Sequence, residues 1–150
     1  MPKFKDLDLE QWRESDINTD SLWLIGERTK TGKHRNIYHG NFIPQIPDQL
    51  IRRYTKKDEV VFEPFAGSGT TLFVCEELNR KYIGLDINPE MIQYIQTNRD
   101  QMFGKDRSYV QQCDSVDTEA VKSAVQTGLK QIGGEKIQFV LMHPPYYGYR

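Results

Sequence analysis

The sequence has few cysteines and no long apolar segment. Its 150 residues include two cysteines, Cys75 and Cys113, whose separation fits no metal-ligand spacing, so we expect reduced thiols. No apolar run reaches the roughly 18–20 residues that span a bilayer. The first ten residues, MPKFKDLDLE, lack the continuous apolar core of a signal peptide. We therefore expect a cytoplasmic protein rather than a membrane-embedded or disulfide-stapled one.

The sequence also lacks an excess of charge of either sign. The net charge is −1 at pH 7, with 27% charged and 37% hydrophobic residues, which is typical of one globular domain at this length. Cations nevertheless cluster at 27–35 and at 52–57. Two interpretations stay open for these clusters, either solvated surface or local contacts with nucleic-acid phosphates.

Strands and helices alternate regularly after residue 58. Predicted strands cover 59–64, 81–87, 108–113 and 137–142. Predicted helices cover 70–80, 89–102 and 117–132. This alternation predicts parallel βαβ units with right-handed crossovers, and hence an α/β fold with an open parallel sheet.

The first 55 residues are less regular. The pattern predicts a helical turn around 9–13, a short strand at 21–27 and a glycine-containing turn at 29–34. A further helix carries Leu50, Ile51 and Tyr54, with Pro47 in its first turn.

A glycine-rich segment, EPFAGSGTT at 63–71, lies between a predicted strand and a predicted helix. Glycines permit a tight turn and let a ligand approach the backbone, and the start of the helix offers N–H groups. No lysine follows the last glycine, so the segment is not a phosphate-binding P-loop, and it does not fit the dinucleotide fingerprint GxGxxG. Alone it is weak evidence, because many structural turns have the same composition.

Two predicted strands end in acidic residues. Asp86 lies 17 residues after Gly69, where doubly wound folds hold the hydroxyl groups of a ribose. The alternative is a cap for the helix that Pro89 opens. Asp114, which Ser115 follows, could contact an adenine ring or cap the helix from Asp117.

The fourth predicted strand runs into HPPY, His143 to Tyr146. Ligands of open parallel sheets gather at the carboxyl ends of strands where the strand order reverses, so we expect this turn beside the glycine-rich segment. Pro144 and Pro145 fix backbone dihedral angles and hence the directions of the carbonyl groups. Tyr146 offers a flat face on which an extruded base could stack.

Over residues 36–147 the sequence resembles the S-adenosylmethionine-dependent DNA methyltransferases that modify the exocyclic amino group of adenine or cytosine. FAGSG resembles the FxGxG loop of that family, and HPPY is similar to its (D/N/S)PP(Y/F/W) turn. HGNFIPQIPDQLIRRYT is similar to the segment that closes over the methionine end of the cofactor. The resemblance implies the Rossmann-like methyltransferase fold, here its N-terminal half, with 1–35 as a basic lead-in and 36–150 as a partial catalytic domain.

The resemblance also implies a cofactor, a partner and a set of site residues. The cofactor would be S-adenosylmethionine and the partner double-stranded DNA, as in restriction–modification enzymes. The expected cofactor-binding residues are Phe42, Pro44, Glu63, Phe65, Ala66, Gly67, Ser68, Gly69, Thr70, Asp86, Ile87 and Asp114. The expected catalytic residues are His143, Pro144, Pro145 and Tyr146.

The sequence departs from the family pattern at two residues and in its length. His143 replaces the usual Asp, Asn or Ser, although a neutral imidazole nitrogen can also accept a proton of an amine, alongside the Pro144 carbonyl. Glu63 stands where Asp is common. The chain ends at Arg150, before three further strands and the target-recognition region of the family, so we expect self-association or a complementing polypeptide. Two alternatives stay open, an inactive cofactor-binding fragment and an RNA methyltransferase.

Overall fold

The computed structural model describes residues 8–34, 43–100 and 104–145. In these ranges the strands are Val60–Glu63 (β1), Lys81–Asp86 (β2), Ser108–Gln112 (β3) and Phe139–Val140 (β4). The helices are Gln45–Tyr54 (α1), Thr70–Leu78 (α2), Pro89–Asn98 (α3), Gly104–Arg107 (α4) and Thr118–Ile132 (α5), with a short 3-10 helix at Trp12–Glu14. None of the helices in these ranges is long and apolar enough to cross a membrane.

The four strands form one parallel sheet in the order β3-β2-β1-β4. This confirms the predicted α/β fold with an open parallel sheet. The order reverses between β1 and β4, where Phe62 pairs with Val140 and the Leu141 N–H donates to the Phe62 carbonyl at 2.9 Å. The carboxyl ends of β1 and β4 therefore lie side by side, as the sequence predicts.

Two apolar layers cover the two faces of the sheet. Alternation along β1 and β2 directs Val61 and Tyr82 to the layer that contains α1, α2 and α3. The intervening Val60 and Ile83 face α5. Gly128 lets α5 lie close to the sheet, since a Cβ atom there would be 2.8 Å from the Tyr109 ring.

The segment before α1 lies along that helix and is held by glutamine side chains one turn apart. Gln45 donates to the Glu27 carbonyl at 2.7 Å, and Gln49 accepts from the Asn18 N–H at 2.6 Å. The strand predicted at 21–27 is wrong, because this stretch pairs with no strand in the described ranges. Leu22 and Leu24 instead project outward and are 73% and 89% exposed. The apolar residues that suggested a strand at 21–27 therefore do not mark a buried segment.

Several cations of the two basic clusters have partners within the protein. Arg52 is buried and pairs with Asp16 and Asp48. Arg53 donates to the Thr19 carbonyl at 3.0 Å. Lys33, in the other cluster, bonds Glu76 at 2.6 Å. These three residues are neither solvated surface cations nor free for phosphate contacts, the two interpretations made from the sequence. They bond the N-terminal segment to α1 and α2.

Most predicted elements differ from the structure by one or two residues, but two are shorter by four, and one short helix, α4, was not predicted. The helix expected over 89–102 ends at Asn98, after which Arg99 is extended, with φ −61° and ψ 151°. The strand expected over 137–142 is reduced to Phe139–Val140. Beyond Leu141 it has no neighbour to pair with in the described residues, because β1 has already ended at Glu63.

Arg80, at the amino end of β2, holds the ends of two helices. It is fully buried. Its guanidinium donates to the Thr55 carbonyl at 2.6 Å and to the Leu78 carbonyl at 2.8 Å. Since carbonyl groups at helix carboxyl ends lack intrahelical partners and carry partial negative charge, one cation satisfies the last turns of both α1 and α2.

Gly84 in β2 provides space for the Tyr82 ring. A Cβ atom on Gly84 would lie 2.5 Å from Tyr82 Oη, and the ring is fully buried and cannot swing outward. We expect Gly84→Ala to lower the free energy of unfolding by about 1–3 kcal/mol, measured by urea denaturation. Gly26→Ala is the control, because nothing lies within 4 Å of the added methyl group. Equal stability of the two variants would show that Tyr82 does not depend on this space.

Candidate functional site

The loops that follow β1, β3 and β4 converge at one edge of the sheet. Residues 64–69 follow β1, and residues 141–145 continue from β4 beside them. The Ser115 hydroxyl, after β3, donates to the Pro64 carbonyl at 2.6 Å. This edge is where the topology favours a ligand site, since the strand order reverses there.

Glycine conformation shapes the loop after β1. Gly67 and Gly69 have φ angles of 51° and 83°, which lie in the left-handed region that favours glycine. A Cβ atom on Gly69 would also lie 2.9 Å from the Ile95 side chain. Gly69 precedes α2 as its N-cap and gives it no side-chain hydrogen bond. The N-terminus of α2 is therefore suited to bind an anionic group through backbone N–H groups.

Asp86 fastens this loop to the end of β2. Its Oδ2 accepts from the Gly67 N–H at 2.7 Å, and its Oδ1 accepts from the Asn88 N–H at 2.9 Å. The cap of α3 is Asn88, whose side chain accepts from the Glu90 N–H. The alternative that Asp86 caps this helix is therefore wrong. Each carboxylate oxygen has two acceptor positions, so Asp86 retains capacity for the hydroxyl groups of a ligand.

Apolar side chains are exposed in the loops that follow β2 and β3. Ile87 is 62% exposed and Val116 is 86% exposed. The Asp114 side chain accepts from the Val116 N–H at 3.0 Å, while Asp117 caps α5. The alternative that Asp114 caps α5 is therefore wrong, and its carboxylate shapes the loop that presents Val116.

The Glu63 carboxyl lies beneath the glycine loop and is 1% exposed. Its Oε1 accepts from Thr71 Oγ1 at 2.8 Å and its Oε2 from Tyr82 Oη at 2.7 Å. Burial raises the pKa of this carboxyl to about 8, although the hydrogen bonds from Tyr82 and Thr71 oppose the rise. Glu63 is therefore joined to the first turn of α2 through Thr71 and is closed to solvent.

The other residues expected to bind a cofactor are divided between the loop and α1. Phe65 is half-buried, whereas Ala66, Ser68 and Thr70 are buried. Pro44 is buried at the start of α1. It lines a separate cleft of about 220 Å³ between α1 and α2. None of the described residues that line this cleft belongs to the glycine loop, and Phe42 lies outside the described residues.

The segment after β4 carries three of the four expected catalytic residues. His143 is half-buried, and Pro144 and Pro145 are exposed. Tyr146 lies outside the described residues. The strand that leads into this segment is anchored by a stack of the Phe139 and Tyr54 rings, whose centroids are 5.6 Å apart at an interplanar angle of 23°.

A comparison with protein families accords with this geometry. The family model N6_N4_Mtase, described as DNA methylase, matches residues 3–97. The chain belongs to this DNA methylase family. The match includes α1, the glycine loop and Asp86.

Relatives include several type II methyltransferases. The chain is 41% identical over 63 residues to the type II methyltransferase M.MjaII of Methanocaldococcus jannaschii, which covers 42% of the chain and 12% of the relative. It is 30% identical over 93 residues to M.XycI of Xanthomonas campestris pv. cyanopsidis, covering 62% and 29%. It is 27% identical over 126 residues to M.BglI of Bacillus subtilis, covering 82% and 34%. The chain thus spans about a tenth to a third of the length of these relatives.

Sequence reasoning missed the Tyr82 contact with Glu63. The sequence contains a partial signal for this contact, because Tyr82 and Gly84 are two residues apart and therefore lie on one face of β2. In the parallel register Glu63 pairs with Gly84. A tyrosine beside that glycine can therefore reach across to the acid. The register itself cannot be read from the sequence, so the contact could not be predicted.

Proposed function

We propose that this chain supplies the cofactor-binding part of an enzyme that transfers a methyl group from S-adenosylmethionine to the exocyclic amino group of adenine or cytosine in double-stranded DNA. The observation that carries the proposal is that the glycine loop and the His143–Pro145 segment follow two neighbouring parallel strands, β1 and β4, where the strand order reverses. Membership of the DNA methylase family supports the same reaction class.

The chemistry of the edge suits S-adenosylmethionine. The carboxylate of Asp86 suits the two hydroxyl donors of a ribose, and the exposed Ile87 and Val116 suit the flat faces of an adenine. The N-terminus of α2 suits the carboxylate of a methionine. When bound, S-adenosylmethionine would supply an electrophilic methyl group on its sulfonium.

The role proposed for His143 and Pro144 is to accept hydrogen bonds from the target amine. The lone pair of an exocyclic amine is delocalised into the base, and acceptors for its protons localise that pair on nitrogen. The Pro144 carbonyl is always an acceptor, and the His143 ring provides an acceptor nitrogen when it is neutral. A base must leave the duplex to reach these groups, at a cost of a few kcal/mol.

Replacing Asp86 tests the cofactor assignment. We expect Asp86→Ala to weaken S-adenosylmethionine binding by about tenfold or more, since a hydrogen bond to a charged group contributes roughly 1.5–3 kcal/mol. Calorimetry provides the affinity. Asp58→Asn is the control, because it removes an exposed carboxylate that pairs with Arg107 away from the site, and asparagine tolerates the positive φ of 68° at this position. Equal affinity of Asp86→Ala and the unmodified chain would remove the cofactor assignment.

Replacing His143 tests the acceptor assignment in the enzyme that contains this chain. We expect His143→Ala to lower methyl transfer to DNA by roughly 10²–10⁴-fold with cofactor affinity preserved. His143→Asn should retain activity, because the amide oxygen restores an acceptor. Methylation is followed by transfer of labelled methyl groups to DNA. Near-normal turnover of His143→Ala would assign the contact to the Pro144 carbonyl alone.

We also propose that the β4 edge takes part in self-association or in pairing with a complementing polypeptide. β4 is the outermost strand of the sheet in the described residues, and Val140 and Met142 are 45% and 67% exposed. An open edge with apolar side chains favours pairing. We expect Val140→Lys to reduce association in sedimentation at tens of micromolar, whereas Leu24→Lys, on the N-terminal segment, should not. A strictly monomeric unmodified chain would contradict self-association.

A further inference from the structure

The Glu63 carboxyl is buried away from solvent, and both of its oxygens are hydrogen-bonded within the protein. Its side chain leaves the carboxyl end of β1 and points into the helix layer, where it is 1% exposed. Both oxygens already have protein partners, Thr71 Oγ1 and Tyr82 Oη. An acid placed in this way cannot also serve as an open carboxylate for a ligand.

The two hydroxyl partners are themselves fixed. Thr71 is fully buried in the first turn of α2, two residues after Gly69. Tyr82 is fully buried and lies over Gly84, which has no side chain to displace the ring. The carboxyl therefore joins the end of β1, the start of α2 and the middle of β2, which are the elements on which the glycine loop depends.

Titratable neighbours oppose a negative charge on Glu63. Burial raises the pKa of Glu63, and the nearby Asp86 adds to that rise. The buried Cys75 thiol on α2 and the Tyr82 phenol on β2 would each become anionic by losing a proton, and both have their pKa raised by burial and by Glu63. No ion pair to Glu63 occurs among the described residues. A neutral carboxyl satisfies this environment, since each hydroxyl partner can accept as well as donate.

Two acids thus bond the glycine loop and the start of α2, one half-buried and one enclosed. Asp86 is half-buried and bonds the Gly67 N–H. Glu63 is enclosed and bonds Thr71. Ionisation of Glu63 would place a second, unpaired negative charge near Asp86 and so favour separation of the elements that position the loop.

We propose that Glu63 is a positioning residue that, in its neutral form and held by Tyr82, sets the α2 end of the glycine loop and keeps that loop competent to bind S-adenosylmethionine. This inference rests on the proposed function. It assigns Glu63 a role without cofactor contact, and it predicts that the neutral isostere glutamine substitutes for the acid while alanine does not.

The stability of the chain provides one readout. The folded-state pKa, about 8, lies above the ordinary value of 4.5. The stabilisation from the bound proton is therefore complete below pH 4.5 and is lost as the pH rises through about 8. Urea midpoints of the unmodified chain should fall across this window, and Glu63→Gln should flatten the fall. Tyr82→Phe removes a hydrogen bond that lowers this pKa, so it should move the fall to higher pH.

The affinity for S-adenosylmethionine provides the deciding readout, measured by calorimetry between pH 6 and 9.5. We expect Glu63→Gln to bind within about threefold of the unmodified chain at pH 7, and Glu63→Ala to bind at least tenfold more weakly. Above pH 8 the unmodified chain should lose affinity relative to Glu63→Gln. Titration of the cofactor's own amino group affects both proteins equally, so the ratio of their affinities isolates Glu63.

Glu76→Gln is the matched control. Glu76 is also on α2 and largely buried, with a raised pKa, but it bonds Lys33 and the Asp100 N–H rather than the loop. This variant should keep the alkaline loss of affinity. Identical pH profiles for the unmodified chain and Glu63→Gln, or a large loss of affinity for Glu63→Gln at pH 7, would overturn the inference alone. Absence of binding by the unmodified chain at every pH would overturn the proposed function and the inference together.

Discussion

The hydrogen bonds that Glu63 receives from Thr71 and Tyr82 join three successive elements at one buried point. An apolar residue at this position would pack, but it would not specify where α2 begins relative to β1 and β2. Burial raises the pKa of the Glu63 carboxyl and so disfavours its ionised form. Its hydrogen bonds with Thr71 and Tyr82 offset most of the remaining free-energy cost of burying the polar atoms. The glycine loop, which β1 and α2 flank, has its position because these elements are fixed together.

Asp86 and Glu63 are both carboxylic acids, but their surroundings differ in burial and in hydrogen-bond donors. Asp86 lies two residues beyond Gly84 on β2, half-buried, and bonds backbone N–H groups on either side of the site. Backbone donors stabilise a carboxylate, whereas hydroxyl partners in a closed layer are compatible with a neutral acid. The edge of the sheet thus combines a half-buried acceptor with an enclosed acid that faces the core.

The sequence predicts much of this edge because its signals are local. Short apolar runs that alternate with helical segments predict β1 and β2, and the Gly67 and Gly69 spacing predicts a turn between a strand and a helix. Asp86 is recognisable because it ends a strand. The strand order could be anticipated only in part, from the rule that ligand-bearing turns meet where the order reverses.

Features that depend on distant partners could not be predicted. Leu22 and Leu24 have the composition of a strand, yet Gln45 and Gln49 of α1 bind the backbone on either side of them. Arg52 looks like a surface cation in the sequence but is buried against Asp16. In each case a tertiary contact, which local spacing does not encode, overrides the preference of the segment.

The guanidinium of Arg80 has a consequence for the cleft between α1 and α2. The carboxyl ends of α1 and α2 both accept hydrogen bonds from Arg80. The two helices are therefore fixed to one point at the start of β2. The cleft that Pro44 lines between α1 and α2 is therefore bounded by two helices whose carboxyl ends are tied together. A cleft bounded in this way loses little conformational entropy when it is filled, since much of its ordering is completed when the chain folds.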